Sequence, residues 1–562
     1  MISVLATNII SPLGFTTEDN YRAVREYRSC LERYDSWRGI PEPFVASMFD
    51  ANQRATLTIS GYTLFESIVI RSVTDALTHC EVDCSSPRTL FILSSTKGNV
   101  DELATDDTPS AYLPLGATAR KIADYFGFKS EPIVVCNACI SGVDAQVLAQ
   151  RLLLSGEYDT AVVCGADVVT PFVVSGFLSF KSLAIDDCRP FDIERTGLNL
   201  GEAAATVILA RNADGAEWQL CAGYMSNDAY HLSAPAPDGK GLYMAISKTL
   251  EGVDVEDLAL LNAHGTATMF NDQMESKAIE RVALGEVPVS AVKGYYGHTL
   301  GAAGVLESVI TMRSLDDGII LGVRGYDEIG VSGKINISGK ERTTEKHSFL
   351  KMISGFGGCN GALLFSKQLS RPCEAAPRVE LQPQRRVHIT PTLVVVNGES
   401  LPLTQNGKSL LTEIYKNYVG DYPKFYKMDI LSRLVFLATE LLAGQDGGAG
   451  SLEQCSIVLF NRSSSIVTDR KHSASIGDVE NFYPSPSLFL YTLPNIALGE
   501  VAIRQECMGE TSLYILAERD EKLQQQVVES LAANSQAERV IAGWVECADE
   551  DCFEADLQIL TK

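Results

Sequence analysis

The chain runs to 562 residues and 60.9 kDa, too long for one ordinary domain, and no apolar run is long enough to cross a bilayer. Its formal net charge of −24 excludes a general binder of nucleic acid or anionic membrane, since both need an excess of Lys and Arg. The 14 cysteines are scattered without pairs at zinc spacing, which points to reduced thiols, no metal and a cytoplasmic location.

From the start, MISVLATNIISPLG has no basic stretch or cleavage site and reads as a strand with a Pro-Gly turn. SGYTLFESIVIRSVTDAL then reads as a helix. Short apolar runs follow (TLFILSST, PIVVCNA, TAVVCGAD, ATVILA, ALLNAHG and GALLFS), separated by longer helical stretches. That alternation predicts an α/β fold whose sheets are covered on both faces. It extends over 1–367, and at 368–385 prolines and charges replace it and mark a linker.

Beyond the linker, 386–562 repeats earlier landmarks. RTLFILSST is echoed by QCSIVLFNRSSS, TPSAYLPLGATARKIA by YPSPSLFLYTLPNIALGEVA, PIVVCNACISG by GEVAIRQECMGE, and GEYDTAVVCGADVV by SQAERVIAGWVECADE. The helix SGYTLFESIVIRSVTDAL has its counterpart in FYKMDILSRLVFLATELL. Only the first half of the long region is repeated. Ordinary likeness between α/β stretches is the alternative.

Chemistry concentrates in four places. Cys139 stands between strand-like IVV and helix-like VDAQVLAQRLLL, where a helix N-terminus lowers a thiol's pKa and makes a nucleophile. A small inert core cysteine, or a redox CxxC in CNAC, are the competing readings. Downstream lie LLNAHGTATMFND with His264, VKGYYGHTLGAAGVLE with Lys293 and His298, and ISGFGGCNGALLF with Phe356 between glycines. Alone, each His would read as structural and the Lys as a surface ion pair.

In order and wording these motifs resemble the β-ketoacyl synthase (ketosynthase) family of thiolase-like condensing enzymes. The resemblance implies a layered αβαβα thiolase-like fold with a duplicated core over 1–367 and a half-thiolase-like α/β domain over 386–562. It implies that Cys139 takes an acyl group from a phosphopantetheine thioester. His264 and His298 would hydrogen-bond the carbonyl of a malonyl thioester as carbon dioxide leaves. Lys293, paired with Glu307, would support the histidines. Phe356, between Gly355 and Gly357, would gate the cysteine and help form the oxyanion hole, and Thr266 and Thr268 would hold the pantetheine arm.

The implied function is a decarboxylative Claisen condensation in fatty acid, polyketide or polyene synthesis, with acyl- and malonyl-loaded acyl carrier protein as partner and no other cofactor. A non-decarboxylating thiolase-type acyltransferase, using Cys359 as a second catalytic cysteine, and a non-catalytic subunit binding acyl chains or carrier protein stay open. Three positions depart from the family: Asn137 and Cys359 stand where Thr is usual, and Gly201-Glu202-Ala203-Ala204 replaces GEGA. An acidic carrier protein facing so acidic a chain also requires a local basic patch.

Lacking NAHGTAT, GHTLGAAG and GFGG, the tail resembles a catalytically silent chain-length factor, with Cys507 or Glu506 falling at the nucleophile position. A homodimer and an intramolecular pseudo-heterodimer are both consistent with it.

Overall fold

In the computed structural model, residues 1–103, 113–213, 215–368, 379–444, 451–478, 480, 482–534 and 537–562 are described. The apolar runs become the strands β1 (Ile2–Ile10), β2 (Thr89–Ser94), β3 (Ile133–Val135), β4 (Thr160–Asp167) and β5 (Ala203–Arg211). They lie in the order β3-β2-β4-β5-β1, with β2 parallel to both neighbours and β5 antiparallel to both. A second sheet is built from β6 (Gln219–Asn227), β7 (Leu260–Asn262), β8 (Pro288–Ser290), β9 (Ser348–Gly355) and β10 (Cys359–Ser366). Its order, β8-β7-β9-β10-β6, repeats the same senses, so the core is duplicated.

Helices α1 (Leu64–Thr78) and α2 (Leu115–Phe126) cover the outer face of the first sheet. Between the sheets lie α3 (Ser141–Leu154), which follows β3, and α7 (Ala303–Asp316). After β4 comes α4 (Pro171–Ser179), and α5 (Lys240–Thr249) and α6 (Met269–Arg281) cover the outer face of the second sheet. Every residue of α3 is buried, as expected of a helix enclosed on all sides. It meets α7 where Gly142 faces Gly304; a Cβ on Gly142 would come within 3.0 Å of the Gly304 Cα, so the crossing needs glycine.

The tail supplies β11 (Gln382–Thr390), β12 (Ser456–Asn461), β13 (Thr511–Ile515), β14 (Arg539–Asp549) and β15 (Cys552–Thr561). Their order, β13-β12-β14-β15-β11, is that of the first sheet. Edge strand β13 pairs antiparallel with edge strand β3, Tyr514 opposite Val135 and Ile515 opposite Val134, so the two sheets run on as one. Helices α8 (Ile430–Ala443) and α10 (Ile496–Gln505) join the apolar core of α1 and α2, with α9 (Ile466–Ser475) between them in sequence, and α11 (Glu521–Asn534) joins the core of α3. No helix among the described residues is long and apolar enough to cross a membrane.

Two sequence expectations shift. Strand β11 begins at Gln382, inside the span read as a linker, of which 369–378 lie outside the described residues, as do 108–112 of TPSAYLPLGATARKIA. GEVAIRQECMGE does not match PIVVCNACISG: its first residues complete α10, and the strand equivalent to β3 is the following TSLYI. Apolar content is similar in both segments, so composition alone misplaces the register.

Candidate active site

Cys139 lies in a single 3₁₀ turn, Ala138–Ile140, between β3 and α3. The turn puts Ala138 at φ +48°, and Ser141 Oγ closes it by accepting from the Asn137 N–H (2.8 Å) and donating to the Ala138 carbonyl (2.7 Å). The Cys139 Sγ is 3.0 Å from His298 Nε2. His298 Nδ1 accepts from the Leu300 N–H (3.2 Å), and His264 Nδ1 lies 3.0 Å from Lys293 Nζ. Backbone N–H and ammonium can only donate, so both imidazoles carry their proton on Nε2. The rings stand 5.1 Å apart at 82°, and the sulfur and one nitrogen from each ring lie within 4.8 Å of one another.

Behind the rings, Lys293 Nζ also donates to the His264 carbonyl (2.6 Å) and to Glu307 Oε1 (2.5 Å), while Lys351 takes the other Glu307 oxygen. All three charged groups are buried, so one carboxylate is shared by two ammonium groups. Burial, then the charge of Lys293, pushes both imidazoles well below 6.5, so they are neutral hydrogen-bond donors at neutral pH. The two ammonium groups also oppose a cation beside the sulfur.

The thiol corrects the sequence reading. Burial pushes Cys139 up to about 12, and Lys293 opposes this only in part. Desolvation outweighs the helix end, and Cys139 is held as a thiol. A thiolate formed there would accept the His298 Nε2–H and face the start of α3.

A cavity of about 300 Å³ opens onto the sulfur, lined by Cys139, His264, His298 and Phe356, with Thr266 and Thr268 also on its wall. The two threonine hydroxyls are 2.9 Å apart. The turn joining β9 to β10 carries Gly355, Phe356 and Gly357, with Gly357 and Gly358 at φ +93° and +76°, a conformation that favours glycine. A Cβ on Gly355 would lie 3.4 Å from the Cys139 nitrogen, so backbone passes directly over the nucleophile. The Phe356 ring packs 5.4 Å from Phe180 and 6.3 Å from Phe177. A smaller cavity of about 20 Å³ touches Cys139, Phe177 and Phe356, and the tail lines it with Phe489 and Leu493.

The structure thus brings Cys139, His264, His298, Lys293 and Glu307 together, with Gly355, Phe356 and Gly357 above them and Thr266 and Thr268 lining the cavity. Cys359 also lines that cavity, and its sulfur contacts Thr511 Oγ1 (3.4 Å) and Asn495 Nδ2 (3.7 Å) of the tail.

Other residues carry no motif signal. Lys351 had a weak one, as a lysine inside the apolar strand SFLKMISG. Asn360 donates to Asp228 Oδ1 (2.9 Å) and accepts from Ser354 Oγ (2.6 Å), bracing the glycine turn. Asn227 donates to Gly357 O and to Thr511 Oγ1, each at 2.9 Å. Asn137 explains one departure from the family pattern: its Oδ1 accepts the Leu513 N–H (3.1 Å) and its Nδ2 reaches Asp144 and the Thr511 carbonyl (3.4 Å). The amide accepts at one atom and donates twice from another, whereas a threonine hydroxyl has a single donor.

In the tail, neither Cys507 nor Glu506 holds the nucleophile position. Helix α11 begins at Glu521 as α3 begins at Ser141, so Arg519 stands where Cys139 stands, ion-paired with Asp556 (2.7 Å) and Glu554 (3.3 Å). Cys507 is buried in the loop before β13 and donates to the Cys455 carbonyl.

A half-fold repeated within 1–368 and once more in the tail, with a cysteine and two imidazoles brought together in the first two copies, is the thiolase-like fold. Residues 87–215 match the model of the β-ketoacyl synthase N-terminal domain and residues 220–327 that of its C-terminal domain. The 3-oxoacyl-[acyl-carrier-protein] synthase 2 of Vibrio cholerae is 34% identical over 268 residues, which is 43% of this chain and 63% of that protein. The match therefore spans a little under two thirds of that relative's length. The protein of the same name from Vibrio harveyi is 27% identical over 416 residues, 65% of this chain and 98% of its own. A solved keto synthase–chain length factor structure, PfaC, covers 100% of this chain and 78% of its own at a TM-score of 0.78 and 16% identity, so the fold is shared through the tail. Over residues 87–327, then, the chain is similar to both halves of the β-ketoacyl synthase family.

Proposed function

We propose that residues 1–367 catalyse the decarboxylative condensation of an acyl group with a malonyl group, both delivered on the phosphopantetheine of acyl carrier protein. The observation that carries this reading is the pair of Nε2–H donors beside Cys139 Sγ. The sulfur adds to the acyl thioester carbonyl, whose oxyanion accepts the backbone N–H groups of Cys139 and Phe356, and the pantetheine thiol leaves with the proton. Malonyl thioester then enters along Thr266 and Thr268. As its carboxylate departs as carbon dioxide, the electron pair forms an enolate whose oxygen accepts from His264 and His298. The enolate carbon attacks the acyl-cysteine carbonyl, the C–S bond breaks, and the β-keto product leaves on the carrier while the Cys139 thiolate takes a proton from water. Lys293, Glu307 and Lys351 hold the imidazoles neutral and oriented. No step calls on a metal or a redox cofactor.

Residues 386–562 serve as a built-in, catalytically silent partner. Strand β13 occupies the free edge of β3, the edge through which a second copy would otherwise extend the sheet, which favours an intramolecular pseudo-heterodimer over a homodimer. Phe489 and Leu493 close the space behind Cys139 and so limit the acyl chain. A Cβ on Gly176 would come within 2.1 Å of the Phe489 ring, so α4 has yielded room to that side chain.

The test is carbon dioxide release and β-keto product from acyl- and malonyl-loaded carrier protein. Replacing His264 or His298 by Ala should lower both by about 10²–10³. Condensation without carbon dioxide release would instead support the thiolase-type acyltransferase.

A further inference from the structure

We infer that the tail sets the position of the Phe356 gate and does so through Asn495, an inference that rests on Phe356 being the gate over Cys139. Phe356 lines both the 300 Å³ cavity and the 20 Å³ cavity behind it, so its ring stands between the mouth and the inner space. Asn495, at the head of α10, donates from Nδ2 to the Phe356 carbonyl at 2.8 Å. One turn along α10, Gly499 lies against the same segment: a Cβ there would sit 2.9 Å from the Gly357 oxygen. Thr511 completes the socket through Asn227, which donates to both Thr511 and Gly357.

Asn495 is fully buried, yet its Oδ1 has no donor, an arrangement rare enough to call for a reason. The reason lies in the neighbouring peptide plane. The Phe356 carbonyl and the Gly357 N–H share one plane, and that N–H now donates to the Leu232 carbonyl at 2.6 Å. Turning the plane would withdraw the carbonyl from Nδ2 and present the N–H to Oδ1. Glycine at 357 permits such a rotation. One amide can therefore hold the gate in either position, donating in the closed state and accepting in the open one. Asn495 is a positioning residue, acting on the reacting atoms only through Phe356.

The test is the rate at which iodoacetamide alkylates Cys139 in the full chain, read by peptide mass, which needs no acyl donor. Asn495→Ala removes the closed-state bond and should raise that rate about two- to tenfold, the factor expected for one neutral hydrogen bond. Asn495→Asp keeps the shape but only accepts, so it should raise the rate at least as much. Phe436→Ala, which damages the tail core at its ring contacts with Tyr422 and Phe425, should leave the rate within twofold of the parent. Rates unchanged in both Asn495 variants, or an equal rise in Phe436→Ala, would overturn the inference. A parent that alkylates as described but takes no acyl group would instead overturn the proposed function.

Discussion

The first sheet and the tail sheet share strand order and sense, yet treat their inner faces in opposite ways. In the first, Val163 lies opposite Val207, both are buried, and α7 packs over β5. In the tail, Trp544 lies opposite Asp556, and the carboxylate is held by Arg386 (2.8 Å) and Arg519 (2.7 Å), with His388 near Glu554. Arg519, at the position that matches Cys139, is one member of this ion network. Half of a thiolase-like fold can thus persist once the face that lost its covering is made polar, because exposed ion pairs cost little where exposed apolar surface would aggregate. What meets the rest of the chain are the tail's edge strand β13 and its helices α8, α10 and α11.

The sharpest way to break this comparison is to remove the tail. Excising 379–562 strips β13 from β3 and opens both shared cores. The expected product is insoluble, or is a dimer paired through β3; a folded, active monomer of 1–378 in sedimentation analysis would show that the tail is an appendage. Next comes the buried bidentate pair of Arg151 and Glu510, at 2.9 and 2.8 Å, which ties α3 to the loop before β13. Arg151→Met alone should cost about 3–5 kcal/mol in urea unfolding, and adding Glu510→Leu should recover most of it.

A finer test concerns the tail as a wall. Phe489→Ala should lengthen the preferred acyl chain by at least one elongation step, seen by mass spectrometry of products, at a stability cost of about 3 kcal/mol. Unchanged products would leave Phe489 a packing residue. The smallest effect is in pH. Both histidines must be neutral for Nδ1 to accept from Lys293 and from the Leu300 N–H, and their folded values lie well below 6.5, so the acid limb of kcat should fall well below pH 6.5 rather than at it. For stability, a lowered histidine value means that the unfolded chain binds more protons. The contribution is fully present above about pH 6.5 and is lost as pH falls from there towards the folded values, which acid titration of unfolding would show.

The fold class, and the residues that the structure groups into the candidate site, were legible for physical reasons. Sheets covered on both faces force near-continuous apolar strands, and turns that pass over a nucleophile force glycine, so TLFILSST and GFGG announce themselves. Lys351 was half visible as a charge in an apolar strand. The thiol's pKa was not, because a helix start is written locally whereas desolvation depends on everything that packs around it. Nor were Arg519, Asn495 and the bridging role of Asn137, since these follow from the register of β13 against β3, and register is a long-range property.

The central claim is that one half of a matched pair of sheets is catalytic and the other silent. The most direct measurement is intact-protein mass after incubation with acyl-loaded carrier proteins of several chain lengths. One acyl group per 60.9 kDa chain, absent in Cys139→Ala, is the result predicted here. No acyl gain with any donor, or a gain that survives Cys139→Ala, would contradict it.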